Sequence, residues 1–387
     1  MRILIDENIP QGQSVFSGYG EVQLFAGRSL KNEDLLTADV LLVRSITRVD
    51  RSLLEKTKVR FVGTATIGVD HVDQEFLKQA GIHFVSAPGC NARSVAEYVA
   101  TALLHLQAQK NFSLEGKTLG IVGFGHVGQQ VAEVAPYLGL KVIQCDPPLA
   151  EKNPSNSFQT LAQLVDESDI LTFHVPLNTS GPYPTRNLIN ATFFESWKHS
   201  KVLLNTSRGE ILDEKAFLLA HKQGLIKHCV LDVFPSEPGF NPELAVADLI
   251  TPHIAGYSLR GKLNGTAMML KEFCRYFDLP QQNHVLFPTP ENSEIPFPEG
   301  PLRYQKWGDY LYHFATKSYA IVKDDLELRQ SLQKAHPEKE FDRLRRQYPI
   351  RHEFAGFQIS SLPASETLLG NRLAGLGFRV KREDRGN

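Results

Sequence analysis

Cysteine is scarce in this chain: four residues in 387, at positions 90, 145, 229 and 274, with no C-x-x-C pair among them. That spacing excludes a disulfide framework and a zinc site, and leaves buried reduced thiols as the expectation. No metal is expected. Long apolar runs are also missing; nothing approaches the roughly 18–20 residues of a membrane span. The opening MRILIDENIP lacks the apolar region of a signal peptide and runs directly into strand-like sequence, so a cytoplasmic protein is expected. Charge of either sign is not in surplus, since 42 basic residues against 43 acidic ones leave a net −1. No basic field therefore points to nucleic acid or anionic lipid. An anionic ligand must be held by a local cluster of cations.

What remains is ordinary for a globular protein, 42% hydrophobic and 22% charged, and long enough for two or three domains. Short apolar runs at 2–5, 40–43, 61–63 and 83–85 alternate with helical patterns such as 72–80. This rhythm predicts βα units around a parallel sheet. After a helix over 92–109 the rhythm restarts, with strands expected at 118–122, 142–145, 170–174, 202–205, 230–233 and 249–251. A second doubly wound α/β unit is the reading. A helix over 259–277 is long enough to return the chain to the first unit. Pro288, Pro290, Pro296, Pro298 and Pro301 mark 286–300 as a linker. Beyond it a strand is expected at 320–322, and helices at 324–335 and 368–376.

Residues Gly123, Phe124, Gly125, His126, Val127 and Gly128 fit G-x-G-x-x-G, directly after the apolar strand and at the head of a helix over 129–138. In that place Gly123 permits the tight turn, Gly125 lets the backbone approach a pyrophosphate, and Gly128 allows close helix–strand packing. The helix N-terminus offers N–H groups and positive dipole to phosphates. The next strand ends in Asp146, where a carboxylate accepts from a ribose 2′-hydroxyl and repels a 2′-phosphate. The cofactor expected is NAD rather than NADP.

Three later strands each end in polar residues, around Asn205 to Gly209, Asp232 to Pro238, and Thr251 to Gly256. Carboxyl ends of strands in an open α/β sheet line one crevice, so these segments can converge. Oxidation of a hydroxy acid needs a base for the hydroxyl proton. His253 suits it, because an imidazole titrates near working pH. Glu237 can orient that ring and favour its protonated form. Arg208 offers a planar fork to a substrate carboxylate.

Over roughly residues 1–280 the chain resembles the D-2-hydroxyacid dehydrogenases. The resemblance rests on the glycine motif, Asp146, the Asn205–Gly209, Asp232–Pro238 and Thr251–His253 runs, and the first-domain loop around Gly63 to Asp73. It implies an α/β fold: two doubly wound parallel-sheet domains, Rossmann-like and flavodoxin-like, with the active site in the cleft, plus a small α+β C-terminal domain. Residues 1–93 with 258–283 would bind substrate, 94–257 would bind NAD, and 284–387 would dimerise. The implied catalytic residues are Arg208, Glu237 and His253. Implied cofactor contacts, beside the glycine-motif residues Gly123, Gly125, His126, Val127 and Gly128, and Asp146, are Val175, Thr206, Ser207, Asp232 and Gly256. The stretches ILIDENIP, LVRSIT, Phe61 to Asp73 with Ala87 to Ala92, and HIAGYS, together with a C-terminal extension of this size, narrow the resemblance to a phosphorylated four-carbon sugar acid, 4-phospho-D-erythronate, on the route to pyridoxal 5′-phosphate. Ser45, Thr66 and Tyr257 are then the implied substrate contacts. Arg44, Arg93, Arg260 and Lys262 are candidate phosphate ligands, unranked. His174 is expected to act through backbone and apolar contact rather than chemistry. Two alternatives stay open: a phosphoglycerate-type dehydrogenase, and an NAD-sensing corepressor-like binding protein, against which the neutral charge and the absence of a recruiting segment speak.

Overall fold

The computed structural model describes residues 1–387 apart from 111, 155–156, 292, 299–305 and 383–387. The chain divides into two compact units, residues 1–91 with 258–288 and residues 92–257 with 289–387. Among the described residues no helix is long and apolar enough to cross a membrane.

The first unit holds β1 (Arg2–Asp6), β2 (Glu21–Phe25), β3 (Val40–Val43), β4 (Phe61–Thr64) and β5 (His83–Val85), all parallel, in the order β2-β1-β3-β4-β5. β3 and β4 are buried throughout, as parallel strands covered on both faces must be. Alternate side chains go to opposite faces. Ile3, Ile5 and Leu42 pack with Leu263, Met269 and Phe273 of the helix Leu259–Tyr276. Leu4, Leu41 and Val43 pack with Leu35, Leu53 and Leu77. β2 was not expected from the sequence. It is an edge strand whose residues are mostly exposed, so it shows none of the continuous apolar signal of its neighbours.

The second unit is built on β6 (Thr118–Val122), β7 (Lys141–Cys145), β8 (Ile170–Phe173), β9 (Lys201–Asn205), β10 (Ile226–Leu231) and β11 (Leu249–Ile250), in the order β11-β10-β9-β8-β6-β7. The helix Ala92–Gln109 is buried on nearly every side, including its polar Ser94, Glu97 and Thr101. It packs against the helices His126–Val134 and Trp307–Ser318. The C-terminal region adds the helices Ile321–Ser331, Pro337–Arg346 and Thr367–Leu376, with Gly377 ending the last at φ +108°. It also adds a small parallel sheet, β12 (Glu294–Pro296), β13 (Gln358–Leu362) and β14 (Arg379–Arg382), in the order β12-β13-β14.

Two expectations are corrected here. Residues 320–322 are not a strand but the start of the helix Ile321–Ser331. Ile321 and Leu328 are buried while Val322 is exposed; that i, i+7 spacing is helical, and a three-residue apolar run is too short to reveal it. The expected linker 286–300 contains β12; its residues 292 and 299–300, with Pro301, lie outside the described residues.

A buried polar cluster ties the long helix to the C-terminal region. Glu97 accepts from Arg93 Nε at 3.2 Å and from the Phe354 N–H at 2.9 Å. Arg351 donates to Ser94 Oγ, and to the Ala255 carbonyl at 2.5 Å. Burial, and next the Glu353 carboxylate, push Glu97 up to about 8 against the pull of Arg93, the Phe354 N–H and Arg351. A group whose pKa is raised on folding stabilises most below its unfolded pKa and loses that contribution as pH climbs through the folded value. The stability advantage of the native protein over Glu97→Gln should therefore shrink between 4.5, the ordinary value, and about 8, then level off. Urea unfolding of both proteins across that range measures it; parallel profiles would contradict the assignment.

Candidate active site

In the second unit the strand order reverses between β6 and β8, the switch point where open α/β sheets hold ligands. β6 leads into the glycine turn. Gly123 has φ +90°, and its N–H donates to the Cys145 carbonyl at 2.8 Å. A Cβ there would meet the His174 carbonyl oxygen at 2.6 Å and the Val175 methyl at 2.9 Å. A Cβ on Gly128 would lie 2.1 Å from the Gly123 oxygen. Gly125 differs, since a Cβ there would meet nothing within 4 Å. It caps the helix His126–Val134, which has neither a side-chain cap nor an acid in its first turn. His126 is exposed and Val127 half-buried.

Asp146 follows β7. Its carboxylate accepts from the Phe124 N–H at 2.8 Å and the Leu149 N–H at 3.0 Å, so it ties the glycine loop to the helix Pro147–Lys152. His174, after β8, hydrogen-bonds the Thr172 hydroxyl at 3.0 Å and the Thr206 hydroxyl at 3.3 Å. Burial lowers it to about 3, so the ring is neutral and takes no part as an acid.

Asn205 ends β9 and shapes the turn that carries Arg208. Its amide donates to the Arg208 carbonyl at 2.9 Å, and its oxygen accepts from the Ser207 N–H at 3.1 Å and hydroxyl at 3.0 Å. Arg208 Nη1 donates to the Ser207 carbonyl at 2.8 Å. Thr206 and Ser207 are buried. Gly209 is held against the Phe234 carbonyl, where a Cβ would sit 1.9 Å from its carbon.

Asp232, just beyond β10, is buried, and its carboxylate accepts from the Thr251 hydroxyl at 2.6 Å and from the N–H groups of Ile254 and Ala255 at 2.8 and 2.9 Å. Its carbonyl accepts the His253 N–H at 2.7 Å. His253 is thereby held at φ +56°. Its Nδ1 lies 2.8 Å from Glu237 Oε2, and Glu237 Oε1 accepts the Phe234 N–H at 2.9 Å. Burial raises the Glu237 carboxyl, but His253, Arg345 and the Phe234 N–H outweigh it, and the group sits below its ordinary value. Glu237 is thus ionised and bound to one ring nitrogen, which leaves Nε2 for a ligand. Gly256 and Tyr257 continue the same turn, closed by the Tyr257 N–H on the Ile254 carbonyl at 2.8 Å.

Ser45 and Thr66 belong to the first unit, on the segments that leave β3 and β4. Ser45 is exposed and lines a surface pocket of about 450 Å³ with Asp50, Asp70 and His71. The Thr66 hydroxyl donates to the Gly68 carbonyl at 2.9 Å. Among the cations considered for phosphate, Arg93 is taken up by Glu97 and the Leu376 carbonyl, and Arg260 stands 5.4 Å over the Phe287 ring. The sequence reading missed Arg345, which the fold sets over the Tyr257 and Phe341 rings and within electrostatic reach of Glu237, because no motif announces it. It also did not foresee the scaffolding contacts of Asp232.

Residues 92–255 match the NAD-binding domain of D-isomer specific 2-hydroxyacid dehydrogenases, and residues 302–377 a domain of unknown function. The erythronate-4-phosphate dehydrogenase of Photorhabdus laumondii is 41% identical over 384 residues, 98% of this chain and 100% of that one. That of Proteus mirabilis is 44% identical over 362 residues, 93% and 94% of the two chains. The chain belongs to the erythronate-4-phosphate dehydrogenase family. Among solved structures, the NAD-bound 3-phosphoglycerate dehydrogenase of Entamoeba histolytica is similar with a TM-score of 0.62, at 24% identity over 72% of this chain and 95% of that one. The D-lactate dehydrogenase of Aquifex aeolicus, complexed with NAD and lactic acid, gives 0.58 at 24% identity, over 72% and 96%. At that identity both speak for the fold. The cofactor of this erythronate-4-phosphate dehydrogenase family member is NAD, and the glycine cradle fits it: two glycines where a Cβ cannot stand, and a third that leaves open space.

The two kinds of glycine should separate on substitution. Gly125→Ala should fold as stably as the native protein and weaken NAD binding, because its methyl enters only the open space. Gly128→Ala should lose about 1–3 kcal/mol of stability, the usual cost of overpacking. Thermal unfolding and NAD titration of each variant check this; equal destabilisation by both would contradict it.

Proposed function

We propose that this chain oxidises 4-phospho-D-erythronate at C2 to the 2-oxo acid, with NAD, in pyridoxal 5′-phosphate synthesis. The observation that carries the chemistry is the His253–Glu237 pair at 2.8 Å, set on a turn fixed by Asp232. Bound NAD supplies the hydride acceptor, held by the glycine turn, the N-terminus of the helix His126–Val134, and Asp146. His253 Nε2 takes the proton of the C2 hydroxyl. The Glu237 carboxylate, already bound to Nδ1, stabilises the imidazolium that forms. Arg208 binds the neighbouring carboxylate through its fork. Tyr257 contacts the sugar acid, and Val175, Thr206, Ser207, Asp232 and Gly256 line the cofactor side. The proposal extends to a cytoplasmic homodimer joined through residues 284–387, with no nucleic-acid partner.

His253→Ala should lower kcat about 10²–10⁴-fold, the span of general acid–base catalysis, with NAD affinity retained. A loss smaller than about tenfold would contradict the role. Steady-state rates with 4-phosphoerythronate and 3-phosphoglycerate test the substrate; preference for the latter would overturn it. Asp146→Asn should weaken the discrimination against NADP, and an unchanged NAD-to-NADP ratio of kcat/KM would contradict the ribose contact.

A further inference from the structure

Arg345 lies within the domain of unknown function at 302–377, on the helix Pro337–Arg346. The last turn of that helix carries Arg343, Arg345 and Arg346. Arg343 pairs with Glu340 of its own helix at 2.9 Å. Arg345 turns inward instead. Its Cζ is 5.9 Å from the ring centres of both Tyr257 and Phe341. Tyr257, Glu237 and Asp342 attract its charge. Its Nε is buried without a hydrogen-bond partner among the described residues.

The same stretch reaches the catalytic turn at two further points three residues apart. The Tyr348 ring meets Tyr257 edge-on, centres 5.8 Å apart, and Arg351 donates to the Ala255 carbonyl at 2.5 Å. Phe341 packs on Phe234 and Phe240, at 6.4 and 5.8 Å, the rings that flank the Glu237 segment. One short region thus touches the base-bearing turn and the carboxylate-bearing loop together.

We propose that Arg345 is a positioning residue for the reaction, fixing Tyr257 and holding the Glu237 carboxylate toward His253, so that the C-terminal region forms part of the catalytic centre. The inference rests on the functional reading above. A guanidinium suits this place because its planar, delocalised charge lies over the Tyr257 and Phe341 rings, as a strongly hydrated ammonium does less well. Its charge also favours ionised Glu237, the form that His253 requires after accepting a proton.

Arg345→Met keeps most of the stem's bulk and removes the fork. It should lower kcat/KM with 4-phosphoerythronate by about tenfold to a hundredfold, as small displacements of catalytic groups do. NAD affinity and the thermal midpoint should stay close to the native values, and Arg345→Lys should recover part of the loss. In a Tyr257→Phe background the same change should cost less than about threefold, because residues that act through one another are not additive. A kcat/KM within about twofold of native, or equal losses in both backgrounds, overturns the proposal. Should Arg345→Met fail to fold, Arg345→Gln enters the same cycle. A native enzyme inactive on 4-phosphoerythronate overturns the substrate assignment alone, and the cycle is then run with 3-phosphoglycerate.

Discussion

The Asp232 carboxylate accepts three hydrogen bonds from the segment around His253, from the Thr251 hydroxyl and the Ile254 and Ala255 N–H groups. Every other feature of the site depends on that arrangement. A histidine at φ +56° occupies a backbone region that costs a non-glycine residue about 1 kcal/mol or more. It persists only where surrounding contacts overdetermine it. Here the Asp232 carbonyl takes the His253 N–H while the carboxylate takes the next two. Burial raises Asp232 to about 6, against the pull of His253 and the three donors. A carboxylate buried with fewer donors would be protonated, and the turn would lose its anchor.

The ring that this turn presents is held at one nitrogen by Glu237, and Glu237 in turn by the Phe234 N–H. Phe234 abuts Gly209, where even a methyl would collide with its carbonyl. The turn that carries Arg208 and the loop that carries Glu237 are therefore packed backbone to backbone. The C-terminal region closes the same assembly through Arg351 on the Ala255 carbonyl and Arg345 near Glu237 and Tyr257.

How much of this was legible depends on how each residue advertises its environment. β3, β4, β8 and β9 are buried on both faces, and their mostly apolar runs marked them. β2 at an edge, and β12 to β14 in a small sheet of distant segments, carry no such run. The glycine turn after β6 was readable because positions where a Cβ cannot stand must be glycine. Asp232 was readable as a polar residue at a strand end, but an acid there reads equally as a ligand contact or as an anchor for the next turn. Arg345 was not readable at all. It stands in the run Arg343, Leu344, Arg345, Arg346, which on sequence is a solvated helix face. Only the fold of distant residues 257 and 237 onto that helix gives the charge an address.

The density of buried charge around one turn calls for a reason, because desolvated ion pairs seldom stabilise a fold more than well-packed apolar groups of the same volume. Glu97, Glu353, Arg351, Asp324 and Asp232 are all buried, and Arg351 stands 4.4 Å over the Tyr319 ring while Tyr319 donates to Asp324. An apolar cluster in their place would hold the C-terminal region on the sheet just as firmly. It would not fix directions. Hydrogen bonds from Arg351 to the Ala255 carbonyl, and from the Ala255 N–H to Asp232, constrain both polar edges of one peptide segment. That is the requirement of the proposed base, whose ring would have to meet a hydroxyl at a set angle. The polar cluster is best understood as orientation gained at some expense of stability, concentrated where the backbone bearing His253 is strained.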